Sequence, residues 1–182
     1  DLLSQDSGET AIGKLAVQIA DAARADIQKR IDENQLPGGA DAESAAVRRR
    51  ASELAYDYVA RRVGLSGPTM SNFRLAPLHP AQTLADGSGN HLDKCFLLAS
   101  LLTAAGLNGV DVVFVRSTDS GEFIADVPHA AQFNACCVRL RETETYLYPS
   151  DSKRRYGELP SNLQGATGLS VPVGRESACE IR

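Results

Sequence analysis

The sequence predicts an α+β fold in which N-terminal helices and a buried central helix pack on an antiparallel sheet. Three observations carry this. Apolar residues recur at three- and four-residue steps through the first third of the chain. The segment from Asn90 to Ala105 is apolar on nearly every side, as a fully buried helix is. Beyond Gly106 the apolar period shortens to two, the mark of strands.

In the first helix Ile12, Leu15, Ala16, Ile19, Ala23, Ile27 and Ile31 fall on one face. Leu36-Pro37-Gly38-Gly39 ends the pattern. A second helix starts near Asp41, which caps it, and buries Val47, Ala51, Leu54, Ala55, Tyr58 and Val63. Arg48, Arg49 and Arg50 form a solvated basic edge. From Gly64 to Gly89 the prolines Pro68, Pro77 and Pro80 exclude a long helix. The central helix comes next, with Asn90 as its cap and Gly106 as its left-handed terminator. Strands are expected at Val110–Val115, Ala135–Leu140 and Thr145–Tyr148, with one more at Leu169–Val173. Glu142 to Glu144 turns the middle pair into a hairpin. The long connection from Ser117 to Gln132, which holds Pro128, is a candidate groove rim.

The chain has 182 residues, enough for a single domain over 1–182 with residues 1–36 as its N-terminal helix. A net charge of −4 gives no basic footprint for nucleic acid. No apolar run is long enough to cross a membrane, so membrane insertion is not expected. The first residue is Asp1, with no signal-peptide pattern after it; this suggests a domain cut from a longer protein or a mature chain after cleavage. Cys95, Cys136, Cys137 and Cys179 lack zinc-site spacing and are expected to be free, mostly buried thiols. No metal or other cofactor is expected, because His91, Asp93 and His129 have no diagnostic ligand spacing.

Gly89-Asn-His-Leu-Asp-Lys-Cys-Phe-Leu-Leu-Ala-Ser-Leu-Leu-Thr-Ala-Ala-Gly-Leu107 resembles the nucleophile helix of bacterial transglutaminase-like domains. Asp93, Lys94, Leu97, Leu98, Leu101, Leu102, Ala104, Ala105 and Gly106 fall in register with that family's pattern. Gln132-Phe133-Asn134-Ala135 resembles its Phe-Asn-His, and Tyr148-Pro149-Ser150 its Asp-Pro-Thr. Leu159-Pro160 and Leu163-Gln164-Gly165 resemble its tail, so the likeness covers about residues 40–170. It implies a transglutaminase-like, papain-like fold and a bacterial setting, often periplasmic or extracellular.

In that family a thiolate at the helix start is the nucleophile, favoured there by the helix dipole and free N–H groups. An imidazole on a facing strand moves its proton, and a carboxylate on the next strand orients the imidazole. Here the matching positions hold His91, Ala135 and Tyr148. Ala135 carries no proton-transfer group, and a tyrosine is neutral near pH 7. The resemblance therefore implies a catalytically inactive domain, a protein- or peptide-binding or scaffolding module joined to other domains of a parent chain. Asn90, His91, His129, Asn134, Ala135 and Tyr148 are its candidate cleft residues. The alternative is an active cysteine hydrolase or acyltransferase with a rearranged site at Cys95 or Cys137. Asp93, early in the helix, is expected to serve structure.

Overall fold

The computed structural model describes residues 2–36, 39–66, 77–121, 123–124, 126, 129–173 and 180–181. Pro37, Gly38, Pro68, Pro128 and Cys179 lie outside the described residues.

Helix α1 spans Leu2–Asp32, and its stripe of Ile12, Ala16, Ile19, Ala23 and Ile27 is buried. It lies along α2, Ala40–Arg62, and reaches two later helices, α3 (Pro80–Asp86) and α4 (His91–Ala104). The buried side of α2 carries Ala51, Ala55, Tyr56, Val59 and Ala60, so it is shifted from the expected stripe: Val47, Leu54 and Tyr58 are half-buried. Asp41 does not cap α2. The chain enters through Gly39 at φ 145°, without a side-chain cap, and Asp41 falls inside the first turn. There its charge still suits the positive end of the helix.

The proline-rich connection contains more order than expected. Pro80 occupies the first turn of a short helix, α3, Pro80–Asp86, where a missing N–H costs nothing. His79 caps it by accepting from the Ala81 N–H, and Gly87 closes it at φ 62°. Two-residue strands β1 (Gly64–Leu65) and β2 (Ser88–Gly89) pair in parallel on either side. A Cβ on Gly89 would stand 2.8 Å from Thr83 Cγ2 and 2.8 Å from Asp93 Cβ. Glycine there lets β2 pass between α3 and the next helix.

That helix, α4, runs His91–Ala104. Leu97, Leu98, Leu101 and Leu102 are wholly buried, each contributing roughly 1.5–3 kcal/mol of transfer free energy. Gly106 at φ 86° terminates α4 as expected, with Leu107 N–H donating to Leu102 O. The sheet order is β5-β4-β3-β6-β7, antiparallel throughout: β3 Val110–Arg116, β4 Ala135–Leu140, β5 Thr145–Leu147, β6 Thr167–Pro172 and β7 Glu180–Ile181. The hairpin of β4 and β5 is as expected; β7 is an addition. The fold is α+β.

Strand alternation gives the sheet two distinct faces. Val110, Val112, Cys136, Val138, Leu140 and Leu147 pack with α4 in the main core. Val113, Val115, Ala135 and Cys137 point the other way, into a smaller cluster closed by Leu163.

Candidate functional site

The short link between Ala104 and Val110 places the end of α4 beside the start of β3. The helix therefore runs back along the sheet, and His91 lies toward the end where β3 finishes and β4 begins. That is the end the sequence resemblance singles out.

The start of α4 is tightly bonded. Asn90 Oδ1 accepts from Asp93 N–H at 2.9 Å, and Asp93 Oδ2 accepts from Asn90 N–H at 3.0 Å. This reciprocal capping box satisfies two donors that a helix start leaves open. Asp93 Oδ1 also accepts from Leu78 N–H at 2.8 Å, which ties the connection before α3 to the helix. Lys94 is buried, and its Nζ donates to Val63 O at 2.8 Å and Ala60 O at 3.4 Å. Its ammonium serves the open carbonyls at the end of α2, where the dipole favours a cation. Burial pulls its pKa down. Asn90 and Asp93 thus do the structural work expected of them.

His91 is half-buried at the first position of α4. Its Nδ1 is shielded and has no hydrogen-bond partner among the described residues. Burial first, and the Lys94 charge second, lower its pKa, so the ring is neutral at pH 7. Asn134 sits at the same end of the sheet with its amide fully used. Nδ2 donates to Ser117 Oγ and Ser120 Oγ at 2.6 Å each, and Oδ1 accepts from Ser117 N–H at 2.9 Å. It clasps the loop after β3. His129 is exposed, and its Nδ1 accepts from Ala131 N–H at 3.1 Å, capping a single 3-10 turn.

Ala135 and Tyr148 share one apolar cluster, on the face turned away from α4. Cys136 is among the residues of β4 that meet α4: the Cys95 and Cys136 thiols hydrogen-bond across the helix–sheet interface. Ala135 and Tyr148 thus share one cluster, and His91 stands at the first position of α4. Tyr148 is pushed up to about 12 by burial, with Cys136, Cys95 and Asp151 adding to the effect. Its carbonyl and that of Arg154 both face Tyr56 Oη, at 3.2 and 3.1 Å.

Cys95, Cys136 and Cys137 are buried thiols outside any disulfide. Desolvation holds the Cys95 thiol well above the usual range and also raises Cys137. Neither is a ready thiolate. No group of three or more His, Cys, Asp or Glu side chains suited to a metal ion occurs among the described residues. No helix there is long and apolar enough to cross a membrane.

Three cavities lie elsewhere. One of about 730 Å³ is bounded by α2, the β4–β5 hairpin and Tyr156, at the opposite end of the sheet. One of about 480 Å³ lies between α1 and α2. One of about 370 Å³ lies on the outer sheet face. None of the three is lined by Asn90, His91, His129, Asn134, Ala135 or Tyr148.

Sequence reasoning missed a buried charge cluster. Asp111 and Arg139 are cross-strand partners, both 2% exposed. Arg139 Nη1 lies 3.5 Å from Asp111 Oδ2, and Ser170 Oγ donates to that same oxygen at 2.7 Å. Glu144 grips the guanidinium through Nε at 3.1 Å and Nη2 at 2.6 Å. The signal was present in the sequence: a charged residue inside each of two apolar strand runs.

No protein-family model and no curated protein matches this chain. A solved structure described as a "putative protease" from Parabacteroides distasonis is similar in fold, with a TM-score of 0.52 and 18% identity. The likeness covers 90% of this chain and 29% of that one. At this identity it speaks to the fold alone.

Proposed function

We propose that this chain is a transglutaminase-like, papain-type domain that has lost its chemistry and serves as a binding or scaffolding module for a protein or peptide segment. The observation that carries this is the state of its thiols. None stands at the start of α4, and Cys95 and Cys137 are buried with raised pKa values. A nucleophile needs a thiolate in reach of substrate, and both are missing at these positions. Among the described residues His91 Nδ1 has no hydrogen-bond partner, and the raised pKa of Tyr148, about 12, keeps its phenol protonated. The capping box keeps the helix start in shape without any reactive group on it. Fold and binding surface can outlast chemistry, because they rest on different contacts.

The test is turnover. The purified domain, given peptide amides with and without a primary amine donor, releases no more ammonia or product than buffer. Turnover abolished by Cys95→Ala or Cys137→Ala would establish the rearranged cysteine enzyme instead. A crystal structure of the triple variant His91→Cys, Ala135→His, Tyr148→Asp tests the register. Side chains within hydrogen-bond reach support the descent from an active triad; wide separation rejects it.

A further inference from the structure

Cys95 and Cys136 meet in the middle of the main core. Cys95 lies one turn into α4 and Cys136 lies on β4, both almost wholly buried, and their thiols hydrogen-bond between the two layers. They share one apolar cluster with Leu98, Leu102 and Val138. The segment between them holds the rest of α4 and all of β3, about 40 residues of chain. A covalent bond between the two sulfurs would therefore tie the helix layer to the sheet and close a long loop.

The fold selects this pair among the described cysteines. Cys137 follows Cys136 directly, but strand alternation turns its side chain to the outer face, into the cluster with Val113 and Leu163. Cys136 and Cys137 are badly placed to join each other. Adjacent Cα atoms stand about 3.8 Å apart across a trans peptide, short of the roughly 4.4–6.8 Å that a disulfide usually spans. Cys179 lies outside the described residues.

We propose that Cys95 and Cys136 form a disulfide when the chain folds in the presence of a disulfide oxidant, as a buried staple between α4 and β4. With oxidised glutathione the step is thiol–disulfide exchange. One cysteine, as its thiolate, attacks a glutathione sulfur; the glutathione S–S bond breaks, one glutathione leaves and a mixed disulfide forms. The second cysteine thiolate attacks the protein sulfur of that mixed disulfide and expels the other glutathione. Two protein thiols are oxidised, one glutathione disulfide is reduced to two thiols, and the two protons end on them. Exchange belongs to the stage at which the core is still open. In the finished fold the sulfurs are out of reach of solvent, and burial holds the Cys95 thiol protonated. The staple goes beyond the function proposed above and does not rest on it.

The test is refolding of the whole chain, from the reduced and denatured state, in a mostly oxidised glutathione buffer and in parallel in reductant. Peptide mapping without reduction finds Cys95 joined to Cys136 in most of the oxidised molecules. Closing a loop of this length restricts the unfolded chain, so the oxidised protein melts roughly 5–15 °C above the reduced one. Reduced protein that has already folded acquires the link about tenfold or more slowly in the same oxidised buffer, because its thiols are buried. Cys136→Ala removes both the link and the difference in Tm between the two buffers; if that variant fails to fold, mapping of the unaltered protein decides alone. Cys95 joined to Cys137 or Cys179, Cys95 and Cys136 left as thiols after oxidative refolding, no rise in Tm, or equally fast linkage in the folded protein would each overturn the proposal.

Discussion

The α4 side of the sheet and its outer side are built differently. On the first, Val112, Val138 and Leu147 are fully buried under four leucines of α4, and the thiols of Cys95 and Cys136 meet between the layers. On the second, a thinner apolar cluster adjoins a buried ion pair and leaves a half-open pocket. Close packing on one face supplies stability, since protein interiors gain by filling space. The other face holds charges whose main effect is to make disruption costly: a buried pair adds little by itself, but breaking it strands a charge.

Substitutions can separate these two kinds of construction. The largest effect is expected at the ion pair. Asp111→Ala leaves Arg139, among the described residues, with the exposed Glu144, and should cost about 3–5 kcal/mol in denaturant unfolding. Replacing both partners, as Asp111→Val with Arg139→Met, should recover most of that loss; failure to recover would mean that the pair itself supplies stability. Leu98→Ala on the packed face should cost about 2–5 kcal/mol, through lost transfer and the cavity left behind. Here only a neighbouring substitution that refills the lost volume should compensate.

Smaller effects are expected where the packed face ends. Gly89→Ala forces a methyl group into Thr83 and Asp93, and should cost about 1–3 kcal/mol. Asn90→Ala removes the cap of α4 and should cost about 1 kcal/mol, seen as a lower Tm. The smallest concerns His91. Its pKa is depressed below 6.5 in the folded protein, so the unfolded chain binds the proton more readily in the window just under 6.5. Stability is then full above 6.5 and falls as pH drops through that window. His91→Gln should flatten the fall there, as measured by unfolding at successive pH values.

Much of the packed layer was legible in the sequence. The cap at Asn90, the acidic residue at Asp93 and the glycine at Gly106 bracket a run of apolar residues, and each is a local signal with one structural meaning. Alternation likewise marked the limits of β4. What alternation does not state is which face meets the helix. Arg139 shares its parity with Ala135 and Cys137, and an apolar helix is better served by the face without the guanidinium. The sequence resemblance sets Ala135 toward the start of α4, whereas Cys136 is the one that lies in the core with α4. Helix α3 was hidden because seven residues give too little periodicity, and its start coincides with a proline that otherwise signals interruption. The outer cavity depends on how the segment 159–166 lies over the sheet, a tertiary fact with no local signature.

The proposed loss of chemistry rests on the burial and raised pKa values of Cys95 and Cys137. Its most direct test is an electrophilic peptide-amide probe applied to the native protein, with peptide mapping by mass spectrometry. Cys95, Cys136 and Cys137 should remain unmodified until denaturant is added. Rapid, saturable modification of Cys95 or Cys137 in the folded state would contradict the proposed inactivity.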